Sequence, residues 1–248
     1  MTRLQTEFVR LYAPDAPSCE GTPDGGPVWV DAQGRTRVMV VESFGSPDWA
    51  LLSALWQGVQ IDWEWPAPAI AVSGRDGLQL WFSLAEPVAL SEATAMLAWL
   101  RQRYLQEGPR RRVRMWPDGA QPGPLASIPA HMGNGECWSA FVAADLAPLF
   151  EETPWLDIEP SEEGQAALLA GLGSIRPASW KAVVAQWPTG AAPGNPVLST
   201  PPSLVTDVPI TDPRVFLLQV MNDASIPMAQ RIEAAKALLE SGSMHAAR

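Results

Sequence analysis

Three carboxylates stand where metal chemistry is conceivable: Glu42, which closes the β-rich run Arg37 to Val41, and Asp62 and Glu64 within Ile61-Asp62-Trp63-Glu64-Trp65. A D-x-E pair on an extended segment puts both acids on one face, a geometry that supplies oxygen ligands to a hard divalent cation. The competing reading is a solvated face opposite Ile61, Trp63 and Trp65. A second group is Ser73-Gly74-Arg75-Asp76-Gly77, followed by Gln79, in which small residues let backbone and hydroxyl donors approach phosphate oxygens while Arg75 offsets their charge. The plainer alternative is a β-hairpin whose glycines serve only the turn. A third is the run of six arginines, Arg101, Arg103, Arg110, Arg111, Arg112 and Arg114, within 14 positions that hold one acid, Glu107, leaving a local charge of +5. Guanidinium forks bind phosphates bidentately, so DNA or RNA contact is one expectation and a solvated helix end with an aggregation-resistant edge strand is the other.

Other chemistries lack their residues. Histidine occurs only at positions 131 and 245, so a histidine triad would have to use His131 with an unidentified nucleophile. Cys137 lies six positions from His131, where a buried strand cysteine is the simpler role. Cys19 and Cys137 form neither a disulfide framework nor a paired zinc knuckle, and a reducing, cytoplasmic setting is expected. No G-x-x-x-x-G-K-[ST] or G-x-G-x-x-G sequence is present. The net charge of −10 argues against coating nucleic acid or an anionic membrane with the whole surface, so an anionic partner must bind locally. Between Arg114 and Arg176 there is no Lys or Arg but nine acids, and this acidic 115–175 span is suited to a basic protein partner.

The elements that must position these residues read as mixed α+β: a mixed or antiparallel sheet with flanking helices, plus a small C-terminal helical hairpin. With 47% hydrophobic residues the 248-residue chain has material for a core. Residues 1–27 read as an irregular lead-in with no signal peptide, 28–188 as the α+β domain, 189–213 as a proline-rich linker and 214–248 as the hairpin. Within the domain, Val28-Trp29-Val30 and Arg37 to Val41 suit a hairpin, and Trp49, Leu52, Leu55 and Trp56 a helix after Ser46-Pro47. Ile61 to Trp65 alternates as a strand, and Ala69 to Ser73 with Leu78 to Leu84 forms a strand pair. A helix capped by Ser91 and ended by Gly108-Pro109 carries Met96, Leu97, Leu100 and Tyr104. Val113 to Trp116 and Cys137 to Val142 are strands, and Asp145 to Phe150, Glu162 to Leu172 and Ser179 to Trp187 are helices. Most of the 12 tryptophans fall at core spacing, with Trp63, Trp65 and Trp138 open to either burial or base stacking.

The segment Pro66 to Leu84, with its proline-led strand, Ser73-Gly74-Arg75-Asp76-Gly77 turn, Gln79 and the aromatics Trp81 and Phe82, resembles the second motif region of the archaeo-eukaryotic primase superfamily in its plasmid and phage replication branch. The likeness is specific over about 20 residues, with looser agreement in element order from Val28 to Val142. It implies that Ser73 and Gln79 occupy the family's Ser and His (in some relatives Gln) positions. The family's first motif is an Asp-x-Asp pair for divalent metal, and the matching strand Val38-Met39-Val40-Val41-Glu42-Ser43-Phe44 supplies one carboxylate. Its third motif maps to Asp118, although Pro117-Asp118-Gly119 is equally an ordinary turn.

What the resemblance then implies is a non-catalytic, primase-like protein of mobile elements. It would act by nucleic-acid or partner-protein binding, with nucleotide or nucleic-acid contacts from Ser73, Arg75, Gln79, Arg110, Arg111, Arg112 and Arg114. Protein contacts would come from the acidic span or the terminal hairpin, with no cofactor and no membrane. Two alternatives stay open. One is an active primase-polymerase or nucleotidyl transferase using Mg or Mn on Glu42, Asp62 and Glu64; the other is an adaptor that never touches nucleic acid.

Overall fold

The computed structural model describes residues 1–13, 29–105, 113–119, 125–132 and 137–186. The chain divides into two units, Met1–Gly194 and Asn195–Arg248, and every described residue lies in the first. The linker and hairpin expected over 189–213 and 214–248 lie outside the described residues.

The elements run α1 (Arg3–Tyr12), β1 (Arg35–Phe44), α2 (Trp49–Trp63), β2 (Ala69–Val72), β3 (Gly77–Ala89), α3 (Leu90–Tyr104), β4 (Val113–Trp116), β5 (Ala130–His131), β6 (Trp138–Val142), α4 (Glu162–Ala170) and α5 (Pro177–Val184), with a 3-10 turn at Ala147–Phe150 before α4. The architecture is mixed α+β, with a six-stranded antiparallel sheet ordered β4-β1-β3-β2-β6-β5. Alternation along the strands splits the core in two. Met39, Val41, Ile70, Val72, Leu80 and Phe82 face α2, α3 and α5, whereas Val38, Val40, Ala69, Ala71, Trp81 and Phe141 face α1 and α4. The expected strand pair over 69–84 and the strands at 113–116 and 138–142 are present.

Four expectations are corrected. The lead-in begins with α1, because Thr2 and Gln5 form a reciprocal capping box and Leu4, Phe8 and Leu11 share one apolar stripe. Arg37 then donates to the carbonyls of Arg10 and Ala13 at the end of that helix, and Arg10 donates to the carbonyls of Leu169 and Leu172 at the end of α4. Trp29 is an anchor rather than a strand residue: its ring packs on Phe8 and Trp81, and its indole N–H donates to the Leu125 carbonyl. Asp31 turns the chain into β1 by accepting from the backbone N–H groups of Gln33 and Arg35.

Ile61 to Trp65 is not extended. α2 continues through Trp63 and closes at Glu64 in a left-handed conformation (φ 53°), with the Trp65 N–H donating to the Val59 carbonyl. The helical spacing Leu52, Leu55, Val59, Trp63 overrides the period-two pattern and leaves Ile61 in solvent. Trp63 stacks on Trp99 and Trp65 on Trp180, which settles both as core. Finally, α3 has no side-chain cap at its start; β3 runs straight into it, the Leu90 N–H donates to Gly34, and it ends at Tyr104, short of Gly108-Pro109. The outer rim of β6 beyond the short β5 is closed by a side chain: Gln165 accepts from the Phe141 N–H (2.7 Å) and donates to the Phe141 carbonyl (3.0 Å).

Candidate functional site

Three strands place a polar row on the face that carries Val40 and Trp81. Arg114 on β4 is in register with Glu42 on β1, and Glu42 with Gln79 on β3. One step further along the strands the row is Trp116, Val40 and Trp81, and α1 packs its aromatics against the Trp81 end. Beyond that aromatic cluster lies a groove of about 770 Å³ that takes in both this face and α3 beside the edge strand β4. Glu42, Ser73, Arg75, Asp76, Gln79, Arg101, Arg114, Trp116 and Asp118 line it, and its size falls within the range of ligand sites.

The floor of the groove is a chain of oriented polar groups. The Trp81 indole N–H donates to Gln79 Oε1 (2.8 Å), and because indole nitrogen only donates, the Gln79 amide must offer its Nε2 to Glu42 Oε1 (3.1 Å). Arg114 Nη1 lies 3.5 Å from Glu42 Oε2, and its guanidinium sits 3.7 Å from the centre of the Phe44 ring. The Arg114 side chain is 58% exposed and that of Glu42 only 13%, so the cation faces the groove and the acid lies beneath it. Burial pushes the Glu42 carboxyl above its ordinary range, against the lowering pull of Gln79 and Arg114, and the Asp76 charge adds to the rise.

The turn beside this row is rigid. Ser73 Oγ accepts from the N–H groups of Arg75 (3.3 Å) and Gly77 (2.9 Å), Gly74 donates to the Pro154 carbonyl and Ser73 to the Gly77 carbonyl. Most of the backbone donors expected to meet phosphate are therefore consumed within the turn and its anchor, and Ser73 has only its hydroxyl proton left to offer. Gly74 adopts φ +76° against the β6 backbone, and Gly77 lacks the Cβ that would meet Glu42 Oε1 at 2.5 Å. The turn thus seats the Glu42 carboxyl and carries Arg75 out to the groove, exposed and without an ion pair among the described residues.

Glu42, Ser73, Arg75, Gln79 and Arg114 are brought together; Asp62 and Glu64 are not. Asp62 sits at the end of α2, on the layer covering the other face, where Oδ2 accepts from Arg103 Nη2 (2.6 Å) and the Tyr104 hydroxyl (2.7 Å). Those bonds hold the Asp62 carboxyl below its usual range, while burial and Asp62 push Tyr104 up to about 12. Glu64 is the left-handed residue that ends α2. Glu42, Asp62 and Glu64 therefore form no shared ligand set, and among the described residues no group of three His, Cys, Asp or Glu side chains fits a metal ion.

β1 does not repair this. Val40 and Phe44, the residues two before and two after Glu42 on the same face, are apolar, and Glu42 already holds Gln79 and Arg114. β1 therefore supplies one engaged carboxylate where a two-metal centre needs a converging pair. The arginine run is also divided: Arg101 donates to the Val113 carbonyl (2.7 Å), Arg103 serves Asp62, Arg114 faces the groove, and Arg110, Arg111 and Arg112 lie outside the described residues.

Within the acidic span, Glu151 accepts from the Trp49 N–H at the start of α2 (2.7 Å) and Glu163 pairs with Arg3, so part of that charge is used internally. His131 packs edge-on against Trp138, 5.0 Å between ring centres. Two residues that position groove side chains escaped the sequence reading: Trp81, which orients Gln79, and Phe44, which underlies Arg114. Strand parity is the signal that finds them, since Trp81 follows Gln79 and Phe44 follows Glu42 by two residues. No family model and no curated protein matches the chain. Among the described residues no helix is long and apolar enough to cross a membrane.

Proposed function

We propose that this chain is a primase-like protein of the mobile-element type whose groove binds nucleic acid or nucleotide phosphate without transferring it. The observation that carries the reading is the meeting, in one groove, of Glu42, Ser73 and Gln79 with the exposed guanidiniums of Arg75 and Arg114. Ser73 and Gln79 are positions at which the sequence resembles the primase superfamily, and Glu42 is the one carboxylate on the strand matching its first motif. Two cations spaced along an open groove suit successive anionic groups, and Trp116 offers an apolar wall. The non-catalytic half of the reading is supported by β1, whose one carboxylate is engaged by Gln79 and Arg114 where two-metal chemistry uses a converging pair.

The test is binding of a fluorescent single-stranded oligonucleotide to the full chain across a salt series. Arg75→Ala and Arg114→Ala should each weaken binding across sequences and lower the salt slope by about 1. Absence of binding at low salt overturns the reading in favour of a protein adaptor. Primer synthesis with Mg²⁺ or Mn²⁺, lost in Glu42→Ala, refutes its non-catalytic half.

A further inference from the structure

The groove contains an arrangement that a plain phosphate site would avoid, a mostly buried carboxylate directly beneath its cation. Glu42 and Arg114 are register partners on neighbouring strands, and their contact at 3.5 Å is a loose one, about half an ångström or more beyond a strong charge-assisted bond. Phe44, not Glu42, supplies the close support of the guanidinium at 3.7 Å. Arg114 can therefore turn toward a ligand while keeping its platform. Glu42 cannot follow: Gln79, held by Trp81, fixes one oxygen, and the carboxyl lies against Gly77.

We infer that Glu42 is the proton-linked restraint of an anion subsite formed by Arg75 and Arg114: a phosphate group draws Arg114 from Glu42, and Glu42 takes a proton from solvent as the phosphate enters. The inference rests on the groove reading above and specifies how that groove is regulated. Its sign follows from charge. The phosphate adds negative charge beside Glu42 and withdraws the cation that stabilised the carboxylate, and both changes favour the protonated acid. The free protein is already inclined that way, because burial raises the Glu42 carboxyl.

The other groups lining the groove set the balance without replacing the switch. Gln79 from β3 donates to Glu42 and favours its ionised form, Asp76 from the turn opposes ionisation, and Arg75 from the turn, Arg101 from α3 and Asp118 after β4 are the other charged groups lining the groove. No histidine lines the groove among the described residues. Protonation converts Glu42 from a competitor for Arg114 into a hydrogen-bond donor able to meet a phosphate oxygen.

Calorimetric titration of the full chain tests this with two probes, a nucleoside triphosphate and a single-stranded oligothymidylate, each in buffers of different ionisation enthalpy from pH 5.5 to 8. Wild type should take up a fraction of a proton per site, at most about half for a tenfold coupling, across the pH range in which Glu42 titrates, and its affinity should rise as pH falls. Glu42→Gln should abolish that uptake, flatten the pH profile and bind roughly tenfold tighter at pH 8, the equivalent of one pKa unit of coupling. Response to the triphosphate alone assigns the subsite to free nucleotides, and response to both assigns it to phosphate at large. Wild-type binding without proton uptake, or uptake unchanged in Glu42→Gln, overturns the inference and leaves the groove reading standing. No binding by either protein removes both.

Discussion

Two glycines of the same turn should respond very differently to one added methyl group. At Gly74 an alanine must hold φ near +76°, which disfavours a side chain by about 1–2 kcal/mol, and its Cβ would lie 2.7 Å from the Ser139 amide nitrogen and 3.0 Å from the Trp138 carbonyl carbon. Those atoms belong to β6 and can move only with the strand, so an overpacking cost of about 1–3 kcal/mol is added. Gly74→Ala should destabilise by about 3 kcal/mol or more. At Gly77 the backbone is unstrained and the obstructing atoms are the Glu42 side chain, with Oε1 at 2.5 Å. The carboxyl can swing away at the loss of its Gln79 bond, about 1.5–3 kcal/mol for a charged partner, partly offset by about 0.4–1 kcal/mol from a stiffer unfolded chain.

Gly77→Ala should therefore cost about 1–2 kcal/mol, and much of that should vanish in a Glu42→Ala background. Urea unfolding of the full chain followed by tryptophan fluorescence gives all four free energies, and the double-mutant cycle isolates the Gly77 and Glu42 coupling. A Gly77→Ala cost that is the same with and without Glu42, or one that exceeds the Gly74→Ala cost, would show that the carboxyl is not seated against this glycine.

Replacing Gln165 with Ala leaves the buried N–H and C=O of Phe141 unmatched and should cost about 2–4 kcal/mol by the same urea assay, with Gln165→Glu recovering only the half that accepts from the N–H. The Asp62 carboxyl is lowered by Arg103 and Tyr104, so its contribution is present above the unfolded carboxyl value of about 3.9 and fades as pH falls through the native one. Asp62→Asn should accordingly lower the melting temperature at pH 7 and make the acid limb of stability shallower. Glu42 has the opposite sign: its raised native value means that stability falls as pH rises from the unfolded value of about 4.3 through the native one. Glu42→Gln should raise the melting temperature at pH 8 and have little effect near pH 4. The indole N–H of Trp65 is buried without a hydrogen-bond partner, so Trp65→Phe should cost less than Trp180→Phe, which breaks a bond to Glu92, as read from paired thermal melts.

Local patterns made the centre of the sheet legible. The hairpin from Ala69 to Leu84 follows from β-rich runs on either side of a glycine-bearing turn, and the packed stripes of α2 and α3 from helical spacing. Over Ile61 to Trp65 two periodicities coexist. Ile61, Trp63 and Trp65 alternate as a strand would, but Val59 and Trp63 continue the face begun by Leu52 and Leu55, and burial of that face decides the outcome. The candidate site was legible by residue type, not by arrangement. Which face Asp62 and Glu42 occupy depends on which layer each element joins, and that pairing across dozens of residues has no local signature. The role of Trp81 was hidden for the same reason, since its ring reads as core while its N–H serves Gln79.

The side chain that closes the rim of β6 ties the two helices of one outer layer into a single act of completion. Gln165 reaches Phe141 only when α4 is docked, and the last carbonyls of α4 are held by Arg10 of α1, a contact spanning 159 positions. An exposed rim invites a foreign strand. Removing α1 should therefore do more than subtract its own buried surface: it should loosen the latch on a distant edge and leave that edge able to recruit a strand from another copy.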